Sequence, residues 1–253
     1  MKQIYTAVLC TLLMILPVSR LKAELQGMFI DEPRVIYLES SSNGAMSTFS
    51  NNSDDNYLIQ SMVREMDPKS GLPTAVNAPF IVIPPLGKVN AHSSQVLKIL
   101  RTGGDFPKDR ESVFFLNVRL LPAEKEHFTP NNLIQMKMVM VLAVKLFYRP
   151  KGLPKEGVTG AVKQLQVSVK GNTVTLTNPS PFWITLQTLK VNSFAVPVGS
   201  LFSMVPPLSQ QSWSLPSGQT LPGSHVTVLW RAIDEFGLNT GEESRSVVVS
   251  GSN

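Results

Sequence analysis

From Arg34 onward the chain reads as short β-prone runs separated by turn residues, and this pattern constrains the fold more than any other feature. Arg34-Val35-Ile36-Tyr37-Leu38 is one such run; Tyr57 to Met66 is another, entered through the turn-rich Asn51-Asn52-Ser53-Asp54-Asp55-Asn56. Phe80-Ile81-Val82-Ile83 stops at Pro84-Pro85, where a ladder cannot continue on both sides because proline has no N–H. Ser112 to Val118 follows, and then a polar loop from Ala123 to Asn132. Strands at this spacing, with turn chemistry between them, predict an antiparallel sandwich or barrel. Arg149-Pro150-Lys151-Gly152-Leu153-Pro154 then punctuates the chain heavily and reads as a linker. Beyond it Leu165 to Val169, Gly171-Asn172 and Thr173 to Thr177 predict a hairpin, and Trp183 to Val191 and His225 to Ile233 predict further strands. The 253 residues therefore divide into two expected domains, 24–150 and 151–253, and at 43% hydrophobic and 16% charged there is enough apolar material for two cores.

Residues 1–23 have the character of an export signal: Lys2 at the start, an apolar run from Ala7 to Leu16, the break at Pro17, and cleavage expected after Ala23. The run is too short to span a bilayer comfortably, so stable membrane insertion is not expected. The segment carries Lys2, Arg20 and Lys22 and no acid, so three of the five net positive charges leave with it and +2 remain. That balance gives no reason to expect nucleic-acid binding. The lone cysteine, Cys10, also lies in the signal. The mature chain must hold together without a disulfide, and it has neither a thiolate nucleophile nor a zinc–cysteine site.

Leu133 to Tyr148 is the longest strand candidate. Its even positions, from Ile134 through Met136, Met138, Met140 and Leu142 to Leu146, are all apolar, and of the odd positions from Gln135 to Lys145 only the middle ones, Val139, Val141 and Ala143, are apolar. Methionine and leucine suit helices as well. Period-two polarity at both ends, β-branched residues inside and β neighbours throughout decide for the strand. A strand apolar on both faces is either a central one, or an edge strand whose second face awaits a partner.

Several of these segments, in order, resemble the PapD-like periplasmic chaperones of the chaperone–usher pilus pathway. The resemblance is carried by Lys145-Leu146-Phe147-Tyr148-Arg149-Pro150, by Pro79 to Leu86, by Asp109-Arg110-Glu111-Ser112 and by Phe114 to Val118. In the second domain Asn178-Pro179-Ser180-Pro181-Phe182 and Ile233-Asp234-Glu235-Phe236-Gly237 carry it. It implies an all-β molecule of two immunoglobulin-like β-sandwich domains, L- or boomerang-shaped, with an interdomain cleft. It implies a periplasmic chaperone that stabilises incomplete pilus or fimbrial subunits by donor-strand complementation and delivers them to an outer-membrane usher. By the same resemblance Arg34 and Lys145 bind the subunit's C-terminal carboxylate. Ile134, Met136, Met138, Met140 and Leu142 form the donor strand, and Glu111, Arg149 and Asp234 form an interdomain salt bridge. The carboxylate assignment is physically sound, since an acid entering a partly dehydrated cleft must recover its lost hydration from charged donors. The chain departs from the family's usual branched aliphatic donor residues in using methionine, which adapts its shape more readily.

The alternative is an exported β-sandwich adhesin or pilus subunit, for which a cysteine pair and an N-terminal donor extension would be expected. An enzyme is not expected, because His92, His127 and His225 are scattered without metal-ligand spacing and no phosphate loop or nucleophile elbow is present. No cofactor or metal is expected either.

Overall fold

The computed structural model describes residues 27–122, 139–198, 203–215 and 225–250. The signal segment, the loop from Ala123 to Asn132 and the expected donor residues Ile134, Met136 and Met138 lie outside the described residues.

The first domain runs through β1 (Met28–Ile30), β2 (Arg34–Leu38), β3 (Ala45–Asn51), β4 (Tyr57–Met66), β5 (Pro73–Asn77), β6 (Phe80–Ile83), β7 (Leu86–Val89), β8 (Ser93–Arg101), β9 (Ser112–Pro122) and β10 (Met140–Arg149). One sheet has the order β1-β3-β8-β6 and the other β2-β10-β9-β4-β5, with β7 also paired to β4. Alternation builds the core between them. In β4, Ile59 and Val63 point inward while Met62 faces out, and in β8 Leu97 and Ile99 are buried while Val96 is exposed. The Pro84-Pro85 break predicted from sequence is the place where the chain crosses from the first sheet at β6 to the second at β7.

The domain's lower end is closed by an aromatic cluster of Tyr37, Phe80, Phe106, Phe114 and Tyr148. Arg101 closes it. Its guanidinium stands 4.8 Å from the Phe106 ring and 4.9 Å from the Tyr148 ring, and it donates to the Tyr148 hydroxyl at 2.7 Å and to Glu39 at 3.2 Å. Glu39 also accepts from the Lys151 amide at 2.8 Å, which ties the linker to this cluster.

The second domain begins with a helix, α1 (Val158–Gln164), absent from the sequence expectation. Its register was legible: Val158, Ala161, Val162 and Leu165 recur at the spacing of one helical face, and all four are buried. The strands are β11 (Gln166–Lys170), β12 (Thr173–Asn178), β13 (Ile184–Val191), β14 (Phe194–Ala195), β15 (Met204–Val205), β16 (Ser209–Ser214), β17 (His225–Ile233) and β18 (Glu243–Ser250). The predicted hairpin is present, with Lys170 opposite Thr173 and Gly171 at φ +53°, the left-handed conformation that such a two-residue turn requires. β18 pairs β17 along its length and β11 at its end, joining the two layers of a second sandwich. Trp230 fills its centre and donates its indole N–H to the Val162 carbonyl at 3.3 Å, fastening the helix over the core.

Candidate functional site

Where the two sandwiches meet, β2 and β10 lie side by side and parallel, with Lys145 directly opposite Arg34. Neighbours across a ladder share a face, so both cations project together. Arg34 is 7% exposed and Lys145 half-buried. The Arg34 guanidinium lies 5.3 Å from the Phe147 ring and donates from Nη1 to the Ile233 carbonyl of the second domain at 3.1 Å, while its Nε is buried without a partner. Among the described residues no carboxylate approaches either cation closely enough to form an ion pair. Burial holds the Arg34 guanidinium below its ordinary value, with Asp234, Glu111 and Glu235 pulling it back. Lys145 is lowered to about 8, first by burial and then by the charge of Arg34. Two desolvated like charges side by side on one face form a site that an anion would relieve.

Four residues further along β10, Arg149 has the opposite fate. It is 1% exposed and donates from Nε to Glu111 Oε1 at 2.8 Å, with Nη2 standing 2.7 Å from the same oxygen. Nη1 stands 3.4 Å from Glu235 and donates to the carbonyls of Pro154 (3.1 Å) and Lys155. The face of the guanidinium lies 4.7 Å from the Phe182 ring. Glu111 reaches into the second domain, accepting from the Trp183 amide at 2.8 Å, and its backbone carbonyl accepts from the Trp183 indole at 3.2 Å. Burial pushes the Glu111 carboxyl up, and Arg149 and the Trp183 amide draw it back. Val113, Phe147 and Met204 form a small apolar cluster beside it, with Ile36, Met66 and Trp183 packed around them.

One assignment is corrected here. Asp234 does not join Arg149; its neighbour Glu235 does. Asp234 Oδ1 instead accepts from the amides of Phe236 and Leu238, both at 2.9 Å, and so shapes the turn after β17. Glu235 Oε1 additionally accepts from the amides of Gly157 (2.7 Å) and Val158 (2.9 Å) at the start of α1. The same turn places Gly237, at φ +79°, so close to Pro33 that a Cβ would overlap the proline ring. Glu235, Trp183 and Gly237 thus belong to the junction. Sequence offered only their motif neighbourhood as a signal.

The third feature is β10 itself. From Lys145 to Arg149 it lies between β2 and β9. From Met140 to Val144 it pairs with β9 alone among the described residues, because β2 begins at Arg34. Its even face changes along the same line. Leu146 is buried, Leu142 and Val144 are partly buried against the domain's own core, and Met140 is 44% exposed. Val139 and Val141 are exposed as well. Among the described residues the strand is central at one end and, at the other, unpaired on the side that β2 covers further along.

Tandem β-sandwiches joined through a buried ion cluster, with two cations that have no carboxylate in ion-pair range among the described residues and an apolar strand edge beside them, fit a protein that captures another chain. The comparisons agree. Residues 27–154 match the family described as "Pili and flagellar-assembly chaperone, PapD N-terminal domain", and residues 160–244 match "Pili assembly chaperone PapD, C-terminal domain". Chaperone protein FocC of Escherichia coli is 31% identical over 88% of this chain and 90% of its own, and Chaperone protein FimC of Escherichia coli K12 is 30% identical over 85% and 82%. Among solved structures, a chain of the Salmonella enterica SafA pilin–SafB chaperone complex superposes with a TM-score of 0.73 at 27% identity, covering 88% of this chain and 98% of that one. The Escherichia coli chaperone DraB gives 0.72 at 28% identity, covering 88% and all of its own length. The chain belongs to the PapD family of pilus-assembly chaperones.

Proposed function

We propose that this chaperone works in the periplasm, where it completes the unfinished sheet of a pilus subunit with β10 and holds the subunit's C-terminal carboxylate between Arg34 and Lys145. The observation that carries this reading is the coincidence of two endings. β2 stops covering β10 at the position where the two unpaired cations stand. A client strand continuing the line of β2 would lie against the open edge from Met140 to Val144. To bring its C-terminus to Lys145 it must arrive from the Met140 end, and it therefore runs parallel to β10.

The backbone groups of the open edge would then be satisfied, and Met140, on the even face, would enter the client's apolar groove. Met138, Met136 and Ile134 would extend that row, with Leu142 seated partly in the chaperone's own core. Each buried side chain of this size is worth roughly 1.5–3 kcal/mol before ordering costs. The carboxylate sets the register, because a slip of one residue would present the wrong face. Delivery to an outer-membrane usher, where another subunit's strand replaces β10, completes the proposed cycle. The work is binding, not catalysis.

Reversing the charge of both cations tests the reading. Arg34→Glu with Lys145→Glu is expected to abolish recovery of co-expressed pilus subunits in one-to-one complexes from periplasmic extracts, while the variant itself stays folded. Undiminished recovery would sink the proposal.

A further inference from the structure

We propose that a cavity at the domain junction, on the side away from β10, is a binding site for a small amphipathic cation, an apolar body carrying one ammonium group. The inference does not depend on the client pose proposed above.

The cavity measures about 510 Å³, a size suited to a small organic molecule. Both domains line it. From the first come Met66 at the end of β4 and Val113 and Phe114 at the start of β9, and from the second come Trp183, Pro206 and Pro207. No described residue of β2 or β10 lines it, and β9 stands between it and the strand offered to the client. Its walls are ordered in advance. Proline has a ring-locked backbone, and Trp183 is held by Glu111, which accepts its amide at 2.8 Å and its indole N–H at 3.2 Å. A ligand therefore has little left to immobilise. Trp183 is only half-buried, which leaves part of its surface to the cavity.

Charge selects the ligand. The charged residues lining the cavity are Glu65, Arg110 and Glu111. Arg110 is held by Asp109, donating from Nε to Oδ1 at 3.0 Å and from Nη2 to Oδ2 at 2.9 Å. Glu111 is neutralised by Arg149 at 2.7 Å. Glu65 is exposed, stands opposite Phe114 across the ladder, and forms no ion pair among the described residues. One carboxylate is thus left over at the rim of a largely apolar cavity. An anion would be repelled by it, a neutral molecule would leave it unanswered, and a cation would pair with it. The Trp183 ring adds to the same preference, because the face of an indole attracts an ammonium. A phenyl ring on a two-carbon arm ending in an ammonium meets these requirements. Because the walls come from both domains, occupancy would also tie them together, and stability should rise with ligand concentration.

Titration of the protein with phenethylamine, phenethyl alcohol and hydrocinnamate tests this, with the Trp183 indole N–H resonance as the reporter. The amine is expected to shift that resonance saturably and to bind about three- to tenfold more tightly than the alcohol, with hydrocinnamate weakest. Glu65→Gln should bring the amine down to the alcohol and leave the alcohol as before. Ser209→Trp places a large side chain at an exposed lining position and should block all three probes. Both variants change exposed residues, so folding does not confound them. The absence of a saturable shift with every probe would overturn the proposal. So would an amine that binds no better than the alcohol, a preference that survives Glu65→Gln, or binding that survives Ser209→Trp. An excess of a peptide of alternating apolar and polar residues with a free C-terminal carboxylate separates this site from the capture site. Amine binding should be undisturbed by it, and displacement would overturn the assignment by placing the amine in the client's cleft.

Discussion

Lys145 and Arg149 stand four residues apart on one face of one strand, and the chain treats them in opposite ways. Arg149 is enclosed by Glu111, Glu235, two carbonyls and the Phe182 ring. Lys145 has a second cation for a neighbour and, among the described residues, no anion within ion-pair distance. Arg149 is 1% exposed and Lys145 half-buried, so both carry a desolvation cost, and burial alone does not account for the difference. It lies in whether the fold supplies the counter-charge. Where it does, the charge is part of the frame that joins the domains. Where it does not, the cleft keeps a charge that the proposed client carboxylate would meet.

Breaking the frame should produce the largest effect. Arg149→Ala leaves Glu111 buried without its partner and is expected to cost about 3–5 kcal/mol, read from denaturant unfolding, with a broadened spread of domain orientations in small-angle scattering. If Arg149→Ala were no more damaging than Lys145→Met, the contrast between the clusters would have no energetic content. Lys145→Met should leave stability unchanged or raise it by about 1 kcal/mol, because it removes a desolvated charge without orphaning another.

The acidity of Lys145 sharpens the same contrast. Its folded value of about 8 lies below the ordinary 10.5, so the ammonium is the form that burial disfavours. Below pH 8 the folded protein carries this burden in full. Between pH 8 and 10.5 the unfolded chain holds more protons than the folded one, so the lysine's contribution to stability rises with pH. A bound carboxylate would restore the proton. Capture of a free-acid peptide is therefore expected to take up protons between about pH 8 and 10, and to weaken as pH climbs through that window. Calorimetry in buffers of different ionisation enthalpy measures the uptake, and a carboxamide peptide should show none.

The smallest effect concerns the corrected residue. Asp234→Asn keeps an acceptor for the Phe236 and Leu238 amides and should cost less than about 1 kcal/mol, leaving the Arg149 cluster in place. Glu235→Ala removes the acceptor of two amides at α1 and one partner of Arg149, and should cost more. An equal cost in thermal unfolding would argue that Asp234 belongs to the cluster after all.

Much of this was readable before any coordinates. β2, β4, β6 and β17 have the bounds that their β-prone runs and flanking turn residues predict. α1 was missed although its apolar spacing was present, because a single helical face of seven residues is weak beside strands on every side. Asp234 and Glu235 could not be told apart, because they follow the end of β17, where alternation stops and a turn decides which carboxylate swings toward Arg149. Arg34 and Lys145 were picked out by their motifs alone. Neither residue carries any mark of its missing partner.

By itself the sequence determined the bounds of β2, β4, β6 and β17 and the apolar even positions of β10, since alternation and turn chemistry act between neighbours in the chain. Only the tertiary structure decided which cation is paired, where β10 passes from central strand to open edge, and that Glu65 has no ion-pair partner among the described residues at the junction cavity. Those properties depend on distances between strands far apart along the chain, and on which of two neighbouring strands ends first. Charge pairing and edge exposure are settled in space, where the local pattern of residues has no say.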